Sequence, residues 1–230
     1  MTETRQRVVR RFVQLLVQAA LFGALLFACA GTLEYARGWL FIGLFLALVV
    51  ANGVYVLPRN PDVIAARGAT GQQGTRTFDK VLMSLYTVVY LGQLGVAALD
   101  AGRLDWSRLG WSWALAGAAL MIVADLPVAA AMAVNRNLET TVRIQAERGH
   151  QVAASGPYRF VRHPMYVGML LQLPAASLVL GSAWSLALAG VCAALMVVRT
   201  ALEDRALRRD LPGYAEYATR TRYRLVPGVW

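Results

Sequence analysis

The sequence predicts an all-α integral membrane protein with five or six transmembrane helices. Hydrophobic residues make up 57% of the 230 residues and charged residues only 16%, whereas soluble domains carry about 25% charged residues. Several apolar stretches approach the roughly 20 residues that a helix needs to cross a bilayer. None of them alternates with the period of two that is typical of a membrane β-strand. The composition therefore excludes an ordinary soluble domain.

Six apolar stretches define the predicted helices. The four longer ones come first, at residues 12–30, 39–57, 81–99 and 109–134. Two shorter ones, 165–180 and 183–198, are joined by Gly181 and Ser182 and predict a tight helical hairpin, with Pro174 as a kink in its first helix. The basic N-terminal segment followed by an apolar run also resembles a cleaved signal peptide, but the run is long for that interpretation.

The basic residues are distributed by membrane side. Lysine and arginine outnumber aspartate and glutamate by 23 to 13, a net charge of +10 that would suggest a nucleic-acid partner in a soluble protein. Twenty of the 23 lie in the N-terminal segment, in 58–80, in 135–164 and in the chain from 199 onward. Positive residues stay in the cytoplasm, so these segments and both termini are predicted to be cytoplasmic. Membrane lipids, and not nucleic acid, are the expected partners of this charge. The predicted location is the inner (plasma) membrane of a bacterium.

Two polar segments, 135–164 and the chain from 199 onward, flank the hairpin. A turn at the far end of the hairpin brings them back together on the cytosolic side. No other part of the chain is predicted to gather so many ionisable residues, so a pocket between these segments is the default active-site hypothesis.

The first segment ends in a motif suited to ligand binding. Pro164 disfavours helical geometry at His163 and is suited to the first position of the next helix. The start of a helix offers free N–H groups and partial positive charge, and Arg159 and Arg162 stand beside it, so the motif could receive a carboxylate or phosphate. Tyr158 and Tyr166 could stack on a flat ring.

The second segment begins with acidic residues that allow two interpretations. Arg199 and Glu203 are four residues apart and share one helix face. Glu203 and Asp204 could bind an amino group, ribose hydroxyls or a sulfonium, but the spacing alone favours a simple ion pair between Arg199 and Glu203. Asp125, inside the fourth apolar stretch, is either functional or a buried hydrogen-bonding group. Histidines, cysteines and carboxylates show no metal-ligand spacing, so no metal is expected.

The motif from Arg162 to Gly168 reads Arg-His-Pro-x-Tyr-x-Gly, and an acidic pair follows the hairpin. This pattern resembles the isoprenylcysteine carboxyl methyltransferase-like family of integral membrane methyltransferases, in which the acidic pair is Glu-Glu and here is Glu203-Asp204. The resemblance covers roughly 135–230. It implies that four membrane helices occupy residues 1–134 and that a catalytic region follows them at residues 135–230.

The resemblance also implies S-adenosyl-L-methionine as the methyl donor, bound in a cytosolic pocket, and a lipophilic or small acceptor. The acceptor could be a carboxylate, an amine or a thiol. Carried over by position, the implied cofactor-binding residues are Tyr158, Arg159, Arg162, His163, Pro164, Tyr166, Gly168 and Glu203. Gln145 and His150 are added because they lie near the motif in the sequence. Arg199 would hold an anionic acceptor, and Glu203 would help to place the acceptor.

Two other functions remain open. Sterol-type membrane reductases that use NADPH share a related C-terminal hairpin and a similar His-Pro turn, and the acidic pair after the hairpin favours methyl transfer over this alternative. A non-catalytic membrane scaffold leaves the Arg, His and Tyr residues of the motif unexplained.

Overall fold

A computed structural model of the chain describes residues 3–69, 74–107, 109–145 and 148–230. Arg108, one of the 23 basic residues, and Glu147, in the predicted polar segment 135–164, lie outside these residues. Within the described ranges the regular structure is entirely helical, so the predicted all-α class is confirmed.

Eight α-helices are present in the described part of the chain. They are α1 (Glu3–Ala30), α2 (Ala36–Val56), α3 (Pro61–Arg67), α4 (Thr77–Ala98), α5 (Trp111–Val134), α6 (Pro164–Leu180), α7 (Ser185–Asp210) and α8 (Tyr214–Arg220). A π-helical turn, Leu99–Leu104, extends α4, and a short 3₁₀ turn, Gly156–Arg159, precedes α6. Five of these helices, α1, α2, α4 with its extension, α5 and α7, are long and apolar enough to cross a membrane, and α6 is a shorter apolar helix. The prediction of five or six membrane helices is therefore confirmed.

Helix α7 extends beyond its apolar stretch. That stretch ends at residue 198, and the helix continues to Asp210 and is 26 residues long, so Arg199 and Glu203 share one helix face as the spacing predicts. Ion pairs at helical spacing, Arg199 with Glu203 and Asp204 with Arg208, support this polar extension. The acidic pair therefore belongs to the last membrane helix and not to a separate tail.

Helices α5 and α6 pack closely because small residues line their contact. A Cβ atom on Gly168 would lie 2.5 Å from Cγ2 of Val128, and one on Gly117 would lie 2.8 Å from the carbonyl oxygen of Ala175. Glycines at such positions let membrane helices approach each other. Gly168 thus fixes the position of the helix that carries the Arg-His-Pro motif.

The bundle has two distinct ends. At the end where α1, α4 and α6 begin, called the arginine-rich end below, Asp79 of α4 accepts a hydrogen bond from the backbone N–H of Val142 at 2.8 Å. At the opposite end, Asp100 accepts hydrogen bonds from the hydroxyls of Ser107 and Ser182, each at 2.5 Å. These bonds tie the hairpin turn to the π-helical extension of α4. The residues of the Arg-His-Pro motif and the acidic pair all lie at the arginine-rich end.

Candidate active site

Two neighbouring cavities lie at the arginine-rich end and share a lining residue. The first, called the tyrosine pocket, is partly open, has a volume of about 60 Å³ and is lined among others by His150, Tyr158, His163, Tyr166, Glu203, Tyr214 and Tyr217. The second, called the membrane cavity, has a volume of about 440 Å³ between α1, α2, α4, α5 and α6. Met165, at the start of α6, lines both cavities.

Asp204 of α7 organises one wall of the tyrosine pocket. It is fully buried, and it accepts hydrogen bonds from Nε of Arg162 at 2.7 Å, Nε of Arg224 at 3.0 Å and Nε of Arg208 at 3.2 Å. The hydroxyl of Tyr214 donates a fourth bond at 3.0 Å. A buried carboxylate is tolerated when it is paired and hydrogen-bonded in this way. Asp204 thereby joins α7, α8, the Arg-His-Pro motif and the C-terminal chain.

The guanidinium of Arg162 is held by four hydrogen bonds within the protein. Besides Asp204, it donates from Nη1 to the carbonyl oxygens of Thr221 at 2.8 Å and Arg222 at 2.7 Å. Arg159 is exposed and is not among the residues that line the pocket. The structure therefore does not bring these two arginines together as a receptor for a ligand anion, and Arg162 acts as a brace between the motif and the C-terminal chain.

Glu203 is held in the pocket by a chain of hydrogen bonds. The Tyr166 hydroxyl donates to Oε2 of Glu203 at 2.6 Å and accepts from Nη1 of Arg199. Arg199 donates from Nε to Asp79 at 2.7 Å and lies 3.7 Å from the Glu203 carboxylate. The ion pair that the helix spacing favours is thus present, and Glu203 also lines the pocket. Arg199 lies behind Tyr166 and is not among the residues that line either cavity.

Aromatic side chains surround Glu203 in the tyrosine pocket. The His163 and Tyr166 rings are parallel, with centroids 5.5 Å apart. Burial raises the pKa of Tyr158 well above its ordinary value and raises the pKa of Tyr217 to about 12, so both phenols stay neutral near pH 7. Burial also lowers the pKa of His150, which favours the neutral imidazole. Neutral tyrosine faces around a carboxylate are suited to a cationic ligand.

The buried imidazole of His163 has an unused nitrogen. Its Nε2 atom lies 3.7 Å from Asp204 and makes no hydrogen bond within the described part of the chain. A buried polar atom without a partner needs an explanation, and a ligand in the pocket is one.

The predicted site residues divide into two groups. His150, Tyr158, Arg162, His163, Tyr166 and Glu203 line the tyrosine pocket. Gln145, Arg159, Pro164, Gly168 and Arg199 are not among its lining residues. Gln145 is buried and donates to the carbonyl oxygen of Asn137 at 2.6 Å, and Gly168 packs against α5.

Several residues of the pocket were not predicted from the sequence, among them two tyrosines and an asparagine. Tyr214 and Tyr217 are buried and line the pocket. Asn135 also lines it and donates to the Tyr158 hydroxyl at 2.9 Å. The three-residue spacing of the two tyrosines, which places them on one helix face, was the available signal.

Arginines also line the arginine-rich end of the membrane cavity. Arg67, at the end of α3, lies 3.6 Å from the sulfur of Met165 and lines the cavity together with Arg11. Burial, together with the nearby charges of Arg11 and Arg199, lowers the pKa of Arg67 to about 10. Neither Arg11 nor Arg67 pairs with a carboxylate in the described ranges. The junction between the cavities is therefore positively charged.

Comparison with known proteins identifies the segment that carries the motif. Residues 115–209, which extend from α5 nearly to the end of α7, match the model of the Isoprenylcysteine carboxyl methyltransferase (ICMT) family. The chain is also similar to the cobalt-zinc-cadmium resistance protein CzcN of Cupriavidus metallidurans, with 38% identity over 81 residues, which are 34% of this chain and 37% of the relative. The matched part is thus little more than a third of the relative's length. Over residues 115–209 this helical membrane protein is therefore similar to the isoprenylcysteine carboxyl methyltransferase family, as the Arg-His-Pro motif and the acidic pair predict.

Proposed function

We propose that this protein transfers a methyl group from S-adenosylmethionine, bound in the tyrosine pocket, to a lipophilic acceptor bound in the membrane cavity. The observation that carries the proposal is the shared residue Met165, which lines both cavities. Methyl transfer requires donor and acceptor to be aligned at one point, and a junction between a polar pocket and an apolar cavity provides such a point.

The tyrosine pocket fits the chemistry of the donor. When bound, S-adenosylmethionine supplies an electrophilic methyl group on a positively charged sulfur. Glu203 and the neutral rings of Tyr158 and Tyr217 favour such a cation, while the arginine that lines the pocket, Arg162, is held by hydrogen bonds to protein acceptors.

Each residue of the site has a definable task. Tyr166 donates its hydrogen bond to Glu203 and so fixes the carboxylate that faces the pocket. Arg199 positions Tyr166 and is itself anchored by Asp79. Leu138, Leu207 and Leu211 line the pocket and exclude water, which favours a reaction whose positive charge disperses in the transition state.

The junction indicates which acceptor reacts there. Arg67 and Arg11 attract an anionic group to the end of the membrane cavity nearest Met165. A carboxylate or thiolate acceptor is favoured, because such a nucleophile is already ionised and needs no strong base. An amine acceptor would need one, and Glu203 and His150 are the candidates in the pocket.

The same proposal places the arginine-rich end and both termini in the cytoplasm, in the inner membrane of a bacterium. Support comes from the positive-inside rule and the clustering of basic residues at that end. The donor is a water-soluble nucleoside, and in this orientation it reaches the tyrosine pocket from the cytosol.

Ligand binding to the purified protein in detergent tests the proposal. We expect calorimetry and thermal shift to detect S-adenosylhomocysteine, the product of the donor, in preference to NADPH. Glu203→Gln should weaken this binding, whereas the exposed control Arg159→Ala should leave it unchanged. Tighter binding of NADPH would instead support the reductase alternative and overturn the proposal.

A further inference from the structure

The membrane cavity is not lined by hydrocarbon alone. Each of the five helices around it contributes a polar residue among many Phe, Leu and Met side chains: Gln18 from α1, Asn52 from α2, Thr87 from α4, Asp125 from α5 and Gln172 from α6. Polar and ionisable side chains inside a membrane are costly and mark substrate pathways. An alkyl chain makes no hydrogen bonds, so it would not offset the cost of placing these polar residues in the membrane.

The polar residues lie well inside the bundle. Gln172 is seven residues further along α6 than Met165, and Asp125 is seven residues from Met132, which lines the arginine-rich end of the cavity. At 1.5 Å per helical residue, each offset is about 10 Å. Gln172 and Asp125 therefore lie about 10 Å further into the bundle than Met165 and Met132.

Asn52 and Asp125 form the centre of this polar region. Nδ2 of Asn52 donates to both carboxylate oxygens of Asp125, at 3.0 Å and 2.8 Å. The amide oxygen of Asn52 is buried and makes no hydrogen bond within the part of the chain that the structure describes. An amide oxygen can only accept hydrogen bonds, so this pair has unused capacity to accept one from a ligand.

A clamp between α2 and α5 does not by itself explain this pair. Neutral side chains such as Asn, Gln, Ser and Thr are enough to hydrogen-bond membrane helices to each other, whereas this pair uses an acid and leaves the Asn52 amide oxygen without a hydrogen bond in the described part of the chain. An unpaired buried acceptor costs free energy, and a ligand that donates a hydrogen bond removes this cost.

The geometry points to a membrane cavity that selects amphiphiles whose hydrophobic part carries an O–H or N–H donor, seated on Asp125 and Asn52. This inference rests on the proposed function in one respect, namely that the cavity holds the acceptor. The anionic end of such a ligand lies at Arg67 and Arg11, and its donor group lies about 10 Å deeper, as the helix offsets require. A plain hydrocarbon chain is disfavoured because it leaves Asp125 and Asn52 unpaired.

Binding of matched fatty acids tests the inference without any methyl transfer. The probes are octadecanoic acid and hydroxyoctadecanoic acids with the hydroxyl near the head, in mid-chain or near the tail. In thermal shift titrations of the detergent-purified protein, we expect at least one positional isomer to bind about tenfold more tightly than octadecanoic acid, the effect of one hydrogen bond to a charged acceptor. This preference should disappear in the double variant Asn52→Leu/Asp125→Leu, while binding of octadecanoic acid persists.

The double variant is chosen because it removes both partners at once, a replacement that is nearly neutral for stability. Asp125→Asn, which retains a polar pair, should reduce the preference without abolishing it. Gln93→Leu is the matched control, since Gln93 is buried in the same bundle and its amide oxygen also makes no hydrogen bond in the described part of the chain, but it does not line the cavity. Equal binding of all probes to the wild-type protein would overturn the inference, as would a hydroxyl preference that survives in the double variant. Failure of the proposed function is distinguishable, because it would appear as loss of S-adenosylhomocysteine binding.

Discussion

The tyrosine pocket and the membrane cavity use polar groups in opposite ways. In the tyrosine pocket the charged wall is satisfied internally, since Asp204 receives bonds from Arg162, Arg208 and Arg224. In the membrane cavity, Arg67 has no carboxylate partner and the Asn52 amide oxygen no hydrogen bond within the described residues. Internal pairing shapes a pocket before a ligand arrives, whereas unpaired groups leave part of the pairing to the ligand. The comparison indicates that the ionised groups of the tyrosine pocket, unlike Arg67, are paired before a ligand arrives, and that, among the described residues, Nε2 of His163 is the polar atom of that pocket left for the ligand.

Removing the negative charge of Asp204, which pairs with three arginines, should lower the stability of the protein more than any other change considered below. Asp204→Asn leaves the buried Arg162 without its counter-charge, and breaking a buried pair in this way costs about 3–5 kcal/mol. For a chain of this size we expect a fall in Tm of roughly 10 °C, measured by thermal denaturation in detergent, together with loss of S-adenosylhomocysteine binding. Asp210→Asn is the control, because Asp210 lies at the exposed end of the same helix and pairs with Arg209 and Arg76. A Tm for Asp204→Asn that matches this control would show that the wall does not depend on its ion pairs.

The neighbouring acid should behave differently. Glu203→Gln keeps an oxygen that can accept the Tyr166 hydrogen bond but removes the charge that faces the pocket. We expect a Tm close to that of the wild-type protein and about tenfold weaker S-adenosylhomocysteine binding by calorimetry, the effect of losing one charged hydrogen bond. Unchanged affinity would mean that Glu203 only caps the ion pair with Arg199.

The contrast between these two adjacent acids shows how far the sequence alone reaches. Hydropathy and charge predicted the helical class and the number of spans, because burial in lipid acts on each stretch locally. The Arg-His-Pro motif and the acidic pair predicted the region where the pocket lies. The division of labour between Glu203 and Asp204 was not predictable, since it depends on Arg224 and Tyr214, which reach Asp204 only in the folded chain. Arg67 was missed for the same reason, because α3 precedes the motif by nearly a hundred residues.

Removing the positive charge of Arg67 should weaken ligand binding in the membrane cavity and leave binding in the tyrosine pocket unchanged. Arg67→Gln removes a cation from the junction, and we expect binding of octadecanoic acid to weaken several-fold, as for the loss of one charged hydrogen bond. Binding of S-adenosylhomocysteine should not change. Arg59→Gln is the control, because Arg59 is exposed and stacks on Tyr55 outside the cavity. If both ligands weaken together in Arg67→Gln, the two cavities are not independent sites.

The smallest effect concerns the pH dependence of the tyrosine pocket. Burial is the main cause that lowers the pKa of His150, and Arg143 and Arg148 add to it while Glu139 and Glu203 oppose it. The folded-state pKa is thus below the unfolded value of about 6.5, so the unfolded chain binds more protons and stability decreases as the pH falls through this range. We expect the Tm of the wild-type protein to fall between about pH 7 and pH 5, and His150→Gln to make this slope shallower. Because carboxylates contribute to the same slope, the informative quantity is the difference between the two proteins. Parallel pH profiles would show that His150 is solvated, and that this side of the pocket is more open than the wall built on Asp204.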